Sequence, residues 1–393
     1  MTTLEGQTTV TAFTPAELYA RILRDEPLFI LDVRNEDEAR RSPVEGKGNL
    51  TSLNLPYFAF VEDEDGAAAQ VPQGREVLVV CAKEGSSQYV AGILAERGYR
   101  ARYLEGGYLS WGNFYDVRDV VRAPWGRVVQ IARPARGDLS FAVISGGRAA
   151  LVDPLRHTEV YLDLLAEAGA TLTHIFDTHV HADHISGGPA LAQATGATYY
   201  VHAYDAIHPI DMLPATIAYT HTQEGDRFQV GEATITTRWF PGHTLGQVNY
   251  RLDAPDGRSA LFTGDGIFLR SFGRPDLGGR GEAWTPMLYR SLTERLPAMA
   301  DDSTLILPAH FSALDEGTAD GVFAAPYGEV RRTNEALRPR DEAAFTSYVL
   351  GHLPVFPPEY VEIKRVNIGL VTPCEGKASE LELGKNICAL AGA

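Results

Sequence analysis

The chain has 393 residues, enough for two or three domains at roughly 150 residues each, with 45% hydrophobic, 22% charged and 9% aromatic residues. Its 35 basic and 51 acidic residues leave a net charge of −16, a surface that disfavours nucleic acid and anionic lipid as partners. No apolar run approaches the ~18 residues of a membrane span, and the opening MTTLEGQTTVTAF lacks the basic start and apolar centre of a secretory signal; a cytoplasmic protein is expected. Thr14-Pro15-Ala16-Glu17 reads as a capping box opening a helix that carries Leu18, Ile22 and Leu23. Leu28–Val33 and Glu76–Val80 are apolar runs of strand length, and Ser87–Gly98 reads as an amphipathic helix closed by its glycine. Continuous apolar strands separated by helices imply a parallel sheet covered on both faces. Residues 1–117 are therefore expected to form a small α/β domain.

The Arg-rich stretch between Tyr115 and Arg127 reads as a connector, with the linker placed at 118–122. Beyond it the texture changes. Val128–Ile131, Phe141–Ile144 and Ala149–Val152 follow one another through glycine-containing turns as hairpins. Helices are expected at Glu159–Ala168 and Gly188–Thr195, with further strands near Thr234–Phe240 and Val248–Leu252. A second, larger α+β domain thus spans 123–393. All eleven histidines lie at or beyond His157, so imidazole chemistry belongs to this second domain.

The three cysteines, Cys81, Cys374 and Cys388, are too few for a disulfide framework and suit a reducing compartment. Cys374 and Cys388 read as packing residues. Cys81 differs because it follows a strand directly and opens the loop Cys81-Ala82-Lys83-Glu84-Gly85-Ser86-Ser87 before a helix. Amides at a helix N-terminus favour an anion in such a loop, which makes the cysteine a competent nucleophile. Leu31-Asp32-Val33-Arg34 with Glu38, the Cys81 loop, and Leu104-Glu105-Gly106-Gly107 with Trp111 occur in one order. Together they resemble a rhodanese (sulfurtransferase) domain. The resemblance implies that Cys81 carries a persulfide sulfur in a cradle of loop amides that includes Gly85 and Ser86. Lys83 is the loop's one cation, since Ser86 stands where that family often has Arg.

Thr178-His179-Val180-His181-Ala182-Asp183-His184 gathers three imidazoles and a carboxylate just after the apolar Thr173–Phe176 run. Ligands clustered at a strand end are how an open metal site is built on a rigid sheet edge. His243 in Pro-Gly-His, Asp265 in Thr-Gly-Asp and His310 in Pro-Ala-His stand in similar contexts. This set resembles the metallo-β-lactamase superfamily, which implies an αββα sandwich. The ligand types leave two readings open. All seven residues could hold two zinc ions and hydrolyse a thioester, as in enzymes of the glyoxalase II kind. His179, His243 and Asp265 alone would form the two-histidine, one-carboxylate triad of non-haem iron enzymes.

The segment Arg270-Ser271-Phe272-Gly273-Arg274-Pro275-Asp276-Leu277 resembles the one that follows the metal Asp in persulfide dioxygenases, and Glu380–Asn386 is similar to the ending of rhodanese–metallo-β-lactamase fusions. This resemblance implies one Fe(II) per chain on His179, His243 and Asp265, with His181, Asp183, His184 and His310 in supporting or second-metal positions. A thiol persulfide and O₂ are then the substrates, sulfite and thiol the products, and Cys81 exchanges sulfur with sulfite or thiosulfate. Arg270 and Arg274 are candidates for holding the anionic substrate or the iron loop, and either could equally be a structural partner of Asp276. A homodimer is possible.

Overall fold

The computed structural model describes residues 10–390. The first domain is a five-stranded, all-parallel sheet of β1 (Thr11–Phe13), β2 (Leu28–Asp32), β3 (Leu50–Asn54), β4 (Glu76–Val80) and β5 (Arg100–Leu104) in the order β1-β5-β4-β2-β3. Side chains alternate across it as pleating demands. Leu28, Ile30, Leu78 and Val80 pack with Leu18, Ile22 and Trp111, whereas Phe29, Leu31, Val77 and Val79 pack with Phe60, Val90 and Leu94 on the other face. Each such side chain contributes about 1.5–3 kcal/mol on burial. The first helix runs Pro15–Leu23, and the Thr14 hydroxyl accepts the Glu17 amide at 3.1 Å. The expected box is only half made, because the Glu17 carboxylate turns to Arg102. The helix after Cys81 runs Gly85–Glu96, two residues ahead of its expected range at both ends, and Gly98 follows at φ +82°.

The expected linker is a strand. Residues 118–122 lie inside β6 (Asp116–Ala123), which pairs antiparallel with β7 (Gly126–Arg133). Its exposed positions mix Val117 with Asp119 and Arg122, and a register shift between Asp119 and Val121 breaks the two-residue alternation that would have revealed it. β8 (Asp138–Ser145), β9 (Arg148–Val152), β10 (Thr171–Phe176), β11 (Thr198–His202) and β12 (Thr220–Thr222) complete a seven-stranded mixed sheet. A six-stranded sheet follows, formed by β13 (Arg227–Val230), β14 (Ala233–Trp239), β15 (Val248–Asp253), β16 (Ser259–Gly264), β17 (Leu305–Pro308) and β18 (Ala325–Pro326).

The two sheets lie face to face. Phe141 of β8 meets Phe262 of β16 at 5.4 Å between ring centres, and Phe176 of β10 meets Tyr250 of β15 at 4.6 Å. The outer face of the seven-stranded sheet is covered by the helix Glu159–Ala168 through Tyr161 and Leu165, and by Gly188–Thr195 through Leu191. The helix Gly281–Arg290 brings Leu288 to the other sheet's side. This is the αββα sandwich. The ends of β10, β14, β16 and β17 meet along one rim, and the histidine-bearing loops hang from them.

Candidate metal centre and cysteine loop

His179, His181, Asp183 and His184 leave the end of β10, His243 follows β14, Asp265 follows β16 and His310 follows β17. All seven side chains are buried. Asp265 stands in the middle. Its Oδ2 lies 3.3 Å from His243 Nε2 and 4.0 Å from His179 Nε2, and its Oδ1 lies 3.2 Å from His310 Nε2. His310 Nε2 is also 3.2 Å from Asp183 Oδ2, and Asp183 Oδ1 is 3.3 Å from His184 Nδ1. Two donor groups result: His179–His243–Asp265, and His181–Asp183–His184–His310.

Burying so many polar atoms without partners is costly unless something binds them. Among the described residues, His179 Nε2, His243 Nε2, His310 Nε2, His181 Nδ1, both His184 nitrogens and all four carboxylate oxygens of Asp183 and Asp265 have no hydrogen-bond partner. That pattern fits a cation, and the cluster is a metal-binding one. Four of the imidazoles, His179, His181, His243 and His310, are held by their other nitrogen. His243 Nδ1 donates to the Arg274 carbonyl at 2.8 Å, and His179 Nδ1 faces the Thr178 hydroxyl at 3.0 Å. Asp153 accepts from the Thr178 amide at 2.7 Å and places Oδ1 3.1 Å from His181 Nε2. It does so from a left-handed backbone, φ +52°, a strained conformation for a residue with a side chain. Gly264 at φ +50° is required, because a Cβ there would stand 2.3 Å from the Thr178 hydroxyl oxygen.

Charge is arranged to match. Burial, followed by the neighbouring His181 and His243 rings, holds His179 well below the ordinary histidine range, and His243 is lowered chiefly by burial. Both shifts favour the neutral form that ligates a metal. For Asp265, burial opposes ionisation but His310 and His243 outweigh it and hold the carboxyl low. Burial also opposes charge on His310, yet Asp183 and Asp265 outweigh it and raise its pKa well above normal. Without metal, a proton on His310 sits between two carboxylates, where a cation would compete with it.

In the first domain, Cys81 ends β4 with its Sγ 3.2 Å from the Ser87 hydroxyl, which in turn donates to the Glu84 carbonyl at 2.8 Å. Among the described residues, the amides of residues 82–86 have no protein acceptor. Lys83 and Gly85 are exposed, and Ser86 is half-buried. The loop is clamped from outside: the amides of Tyr108 and Leu109 donate to the carbonyls of Cys81 at 2.7 Å and Ala82 at 3.1 Å. Gly107, at φ +63°, makes that approach possible, since a Cβ would meet Cys81 O and Lys83 N at 2.7 Å.

Residues 14–114 match the family described as rhodanese-like domain, and residues 134–310 match the metallo-beta-lactamase superfamily. The chain is a rhodanese-like domain joined to a member of the metallo-beta-lactamase superfamily. The second domain is 35% identical over 194 residues to a hydroxyacylglutathione hydrolase of Rhodospirillum rubrum, covering 49% of this chain and 66% of that one. It is 34% identical over 176 residues to the human mitochondrial persulfide dioxygenase ETHE1, covering 44% of this chain and 63% of that one. The chain thus spans just under two thirds of each relative's length. A crystal structure of a metallo-beta-lactamase from Staphylococcus aureus subsp. aureus COL shares the fold, with a TM-score of 0.52 and 24% identity over 64% of this chain and 72% of that one.

Of the roles open to Arg270 and Arg274, both side chains take the structural one, Arg274 on the expected Asp276 and Arg270 on Asp315. Arg270 makes a two-pronged pair with Asp315, both contacts at 3.0 Å, at the surface. The Arg274 guanidinium is fully buried, paired with Asp276 at 2.7 and 2.8 Å and donating to the Pro354 carbonyl at 2.7 Å. What Arg274 offers the centre is its main-chain oxygen on His243.

Other residues escaped the motif reading. Asn386 Nδ2 lies 3.1 Å from His310 Nδ1, and Asp138 Oδ1 lies 3.4 Å from the same nitrogen. Ser87, rather than Ser86, meets Cys81. Cys388 lies against Asp265 and His310 instead of merely packing. A cavity of about 380 Å³ opens beside the loops carrying His179 and His243, with Val180, Ile207, Leu245, Trp284, Met287 and Lys364 among its walls.

Proposed function

We propose that the metallo-beta-lactamase domain is a persulfide dioxygenase using one Fe(II) on His179, His243 and Asp265, and that the rhodanese-like domain transfers sulfane sulfur through Cys81. The observation that carries this reading is the composition of the first donor group. It holds two imidazoles and one carboxylate, while His181 turns Nε2 onto Asp153 and joins the other group. Three protein donors of this kind leave positions open for a sulfur anion and O₂. The resemblance to the human persulfide dioxygenase and the adjoining rhodanese-like domain, whose chemistry handles sulfane sulfur, support the same reading.

Iron bound there would supply paired sites for the persulfide anion and O₂. The remaining work falls to the protein. Arg274 O and Thr178 keep the Nε2 lone pairs of His243 and His179 aimed inward, and burial of the whole cluster excludes bulk water. The balance is R–S–SH + O₂ + H₂O → R–SH + SO₃²⁻ + 2H⁺, so the outer sulfur is oxidised and O₂ supplies the electron sink. The cavity walled by Ile207, Leu245 and Trp284 would take the organic part of the thiol. In the first domain, the unpaired amides of residues 82–86 would hold the sulfur anion carried on Cys81.

A second reading, a two-zinc thioester hydrolase, is favoured by the unpartnered donors of Asp183, His184 and His310 and by the likeness to the Rhodospirillum rubrum hydrolase. Metal analysis of protein purified without added metal separates the two. About one iron per chain is expected. Two zinc ions with thioester hydrolysis would replace the dioxygenase reading by the hydrolase one.

A further inference from the structure

Cys388 sits far beyond His310 in the chain, in a tail that carries none of the metal motifs. Its side chain is nonetheless fully buried at the metal centre. Its Sγ, a carboxylate oxygen of Asp265 and a ring nitrogen of His310 all lie within 4.8 Å of one another. Asp265 and His310 are themselves almost completely buried, and among the described residues Asp265 Oδ1 and Oδ2 and His310 Nε2 have no hydrogen-bond partner. Metal–sulfur bonds of about 2.3 Å and metal–nitrogen or metal–oxygen bonds of about 2.0–2.2 Å place tetrahedral donors on one ion roughly 3.3–3.7 Å apart. Sulfur, nitrogen and oxygen thus face one another close enough for a small inward movement to bring them onto one ion.

The tail holds the sulfur there through the same residues that orient the histidines. The Cys388 carbonyl accepts the Arg274 amide at 2.7 Å, and the Arg274 carbonyl accepts from His243. The Cys388 amide donates to Asn386 Oδ1 at 3.3 Å, while Asn386 Nδ2 faces His310 Nδ1. On the sulfur's other side, the Tyr360 hydroxyl stands 3.5 Å away and already accepts the Ile387 amide at 2.9 Å. That leaves the phenolic proton free to donate to a thiolate.

We propose that Cys388 is a metal ligand: its thiolate, His310 and Asp265 form a mixed sulfur, nitrogen and oxygen position that adjoins the His179–His243–Asp265 position through the shared Asp265. The ion it takes is a thiophilic divalent cation such as zinc, in preference to magnesium or calcium, beside whichever ion the first position holds. Loading exchanges a proton for the metal, Cys–SH + M²⁺ → [Cys–S–M]⁺ + H⁺, with the proton released to solvent. This site stands whichever reaction the domain catalyses, because it rests on donor positions alone.

Cobalt(II) added to the metal-free full chain reports the bond directly. A Cys81→Ser, Cys374→Ser background leaves Cys388 as the single cysteine. A near-ultraviolet thiolate-to-cobalt band is expected in that background and is expected to vanish on adding Cys388→Ser. Absence of the band from the background protein, or its persistence after Cys388→Ser, would overturn the proposal. Should Cys388→Ser fail to fold, X-ray absorption of the zinc-loaded background protein decides alone. A sulfur shell at about 2.3 Å is expected, and a shell of nitrogen and oxygen only would contradict it.

Discussion

At the residue scale, metal binding depends on which nitrogen of each histidine is left free. His243 and His179 present Nε2 because Arg274 O and Thr178 occupy Nδ1, whereas His181 spends Nε2 on Asp153. His243→Ala should therefore abolish iron retention, while His181→Ala keeps most of it; iron content of the purified variants is the readout. Equal loss in both would place His181 among the iron's own ligands. Thr178→Val, which removes only the supporting hydroxyl, should weaken metal affinity by ~10–100-fold. In the cysteine loop, Gly107→Ala forces a Cβ into Cys81 O and Lys83 N at a left-handed backbone. A stability loss of about 1–3 kcal/mol is expected, with sulfur transfer to cyanide falling alongside it. Trp284→Ala opens a wall of the cavity and should raise KM for a persulfide more than it lowers kcat.

At the scale of elements, the motifs were legible because each is a short, contiguous string at a strand end. His-x-His-x-Asp-His after β10, Gly-His after β14, Gly-Asp after β16 and Ala-His after β17 announce both chemistry and position. Asp153, Asn386, Glu382 and Cys388 were not legible, for a common reason. Asp153 comes from the end of β9 and the other three from one tail segment, all distant in sequence from the motifs, and only tertiary packing brings them to the histidine loops. β6 was read as a linker because its arginines and a bulge conceal a strand period. The tail segment is the clearest case of such hidden structure. Glu382 is buried between Arg133 at 2.9 Å and Arg156 at 3.1 Å and accepts the Ile185 amide at 2.8 Å, next to the histidine loop. Burial opposes its ionisation, but Arg133, Arg136 and Arg156 outweigh it and bring its pKa down to about 2. A depressed carboxylate stabilises the fold above its unfolded pKa, near 4.5, and that contribution disappears as pH falls toward 2. Its size is about 3 kcal/mol. Glu382→Gln should thus melt well below the parent at pH 7, with the gap closing toward pH 2–3. A pH-independent gap would show that the side chain acts by packing alone.

At the scale of the molecule, the net charge of −16 has a particular relation to the proposed anionic substrates. The buried arginines are occupied internally: Arg133 on Glu382, Arg136 on Asp138, Arg274 on Asp276. Under the proposed function, the groups left to meet an anion are the loop amides and Lys83 in the first domain, and the metal with Lys364 nearby in the second. The two domains are joined by more than the chain. Arg133 donates to Gly112 O at 2.6 Å and Asn113 Oδ1 at 2.9 Å, and Lys385 pairs with Glu45 at 2.7 Å. Their chemistries remain separable, since Cys81 and the histidine cluster share no ligand. Cys81→Ser should abolish sulfur transfer while leaving iron content unchanged.

The central claim is that the histidine cluster oxidises a persulfide with O₂. Oxygen-electrode recording on freshly purified, iron-containing protein tests it most directly. Addition of a thiol persulfide should consume one O₂ per sulfite formed, with no uptake when the free thiol is added instead. Protein that hydrolyses thioesters and leaves oxygen untouched by persulfide would contradict it.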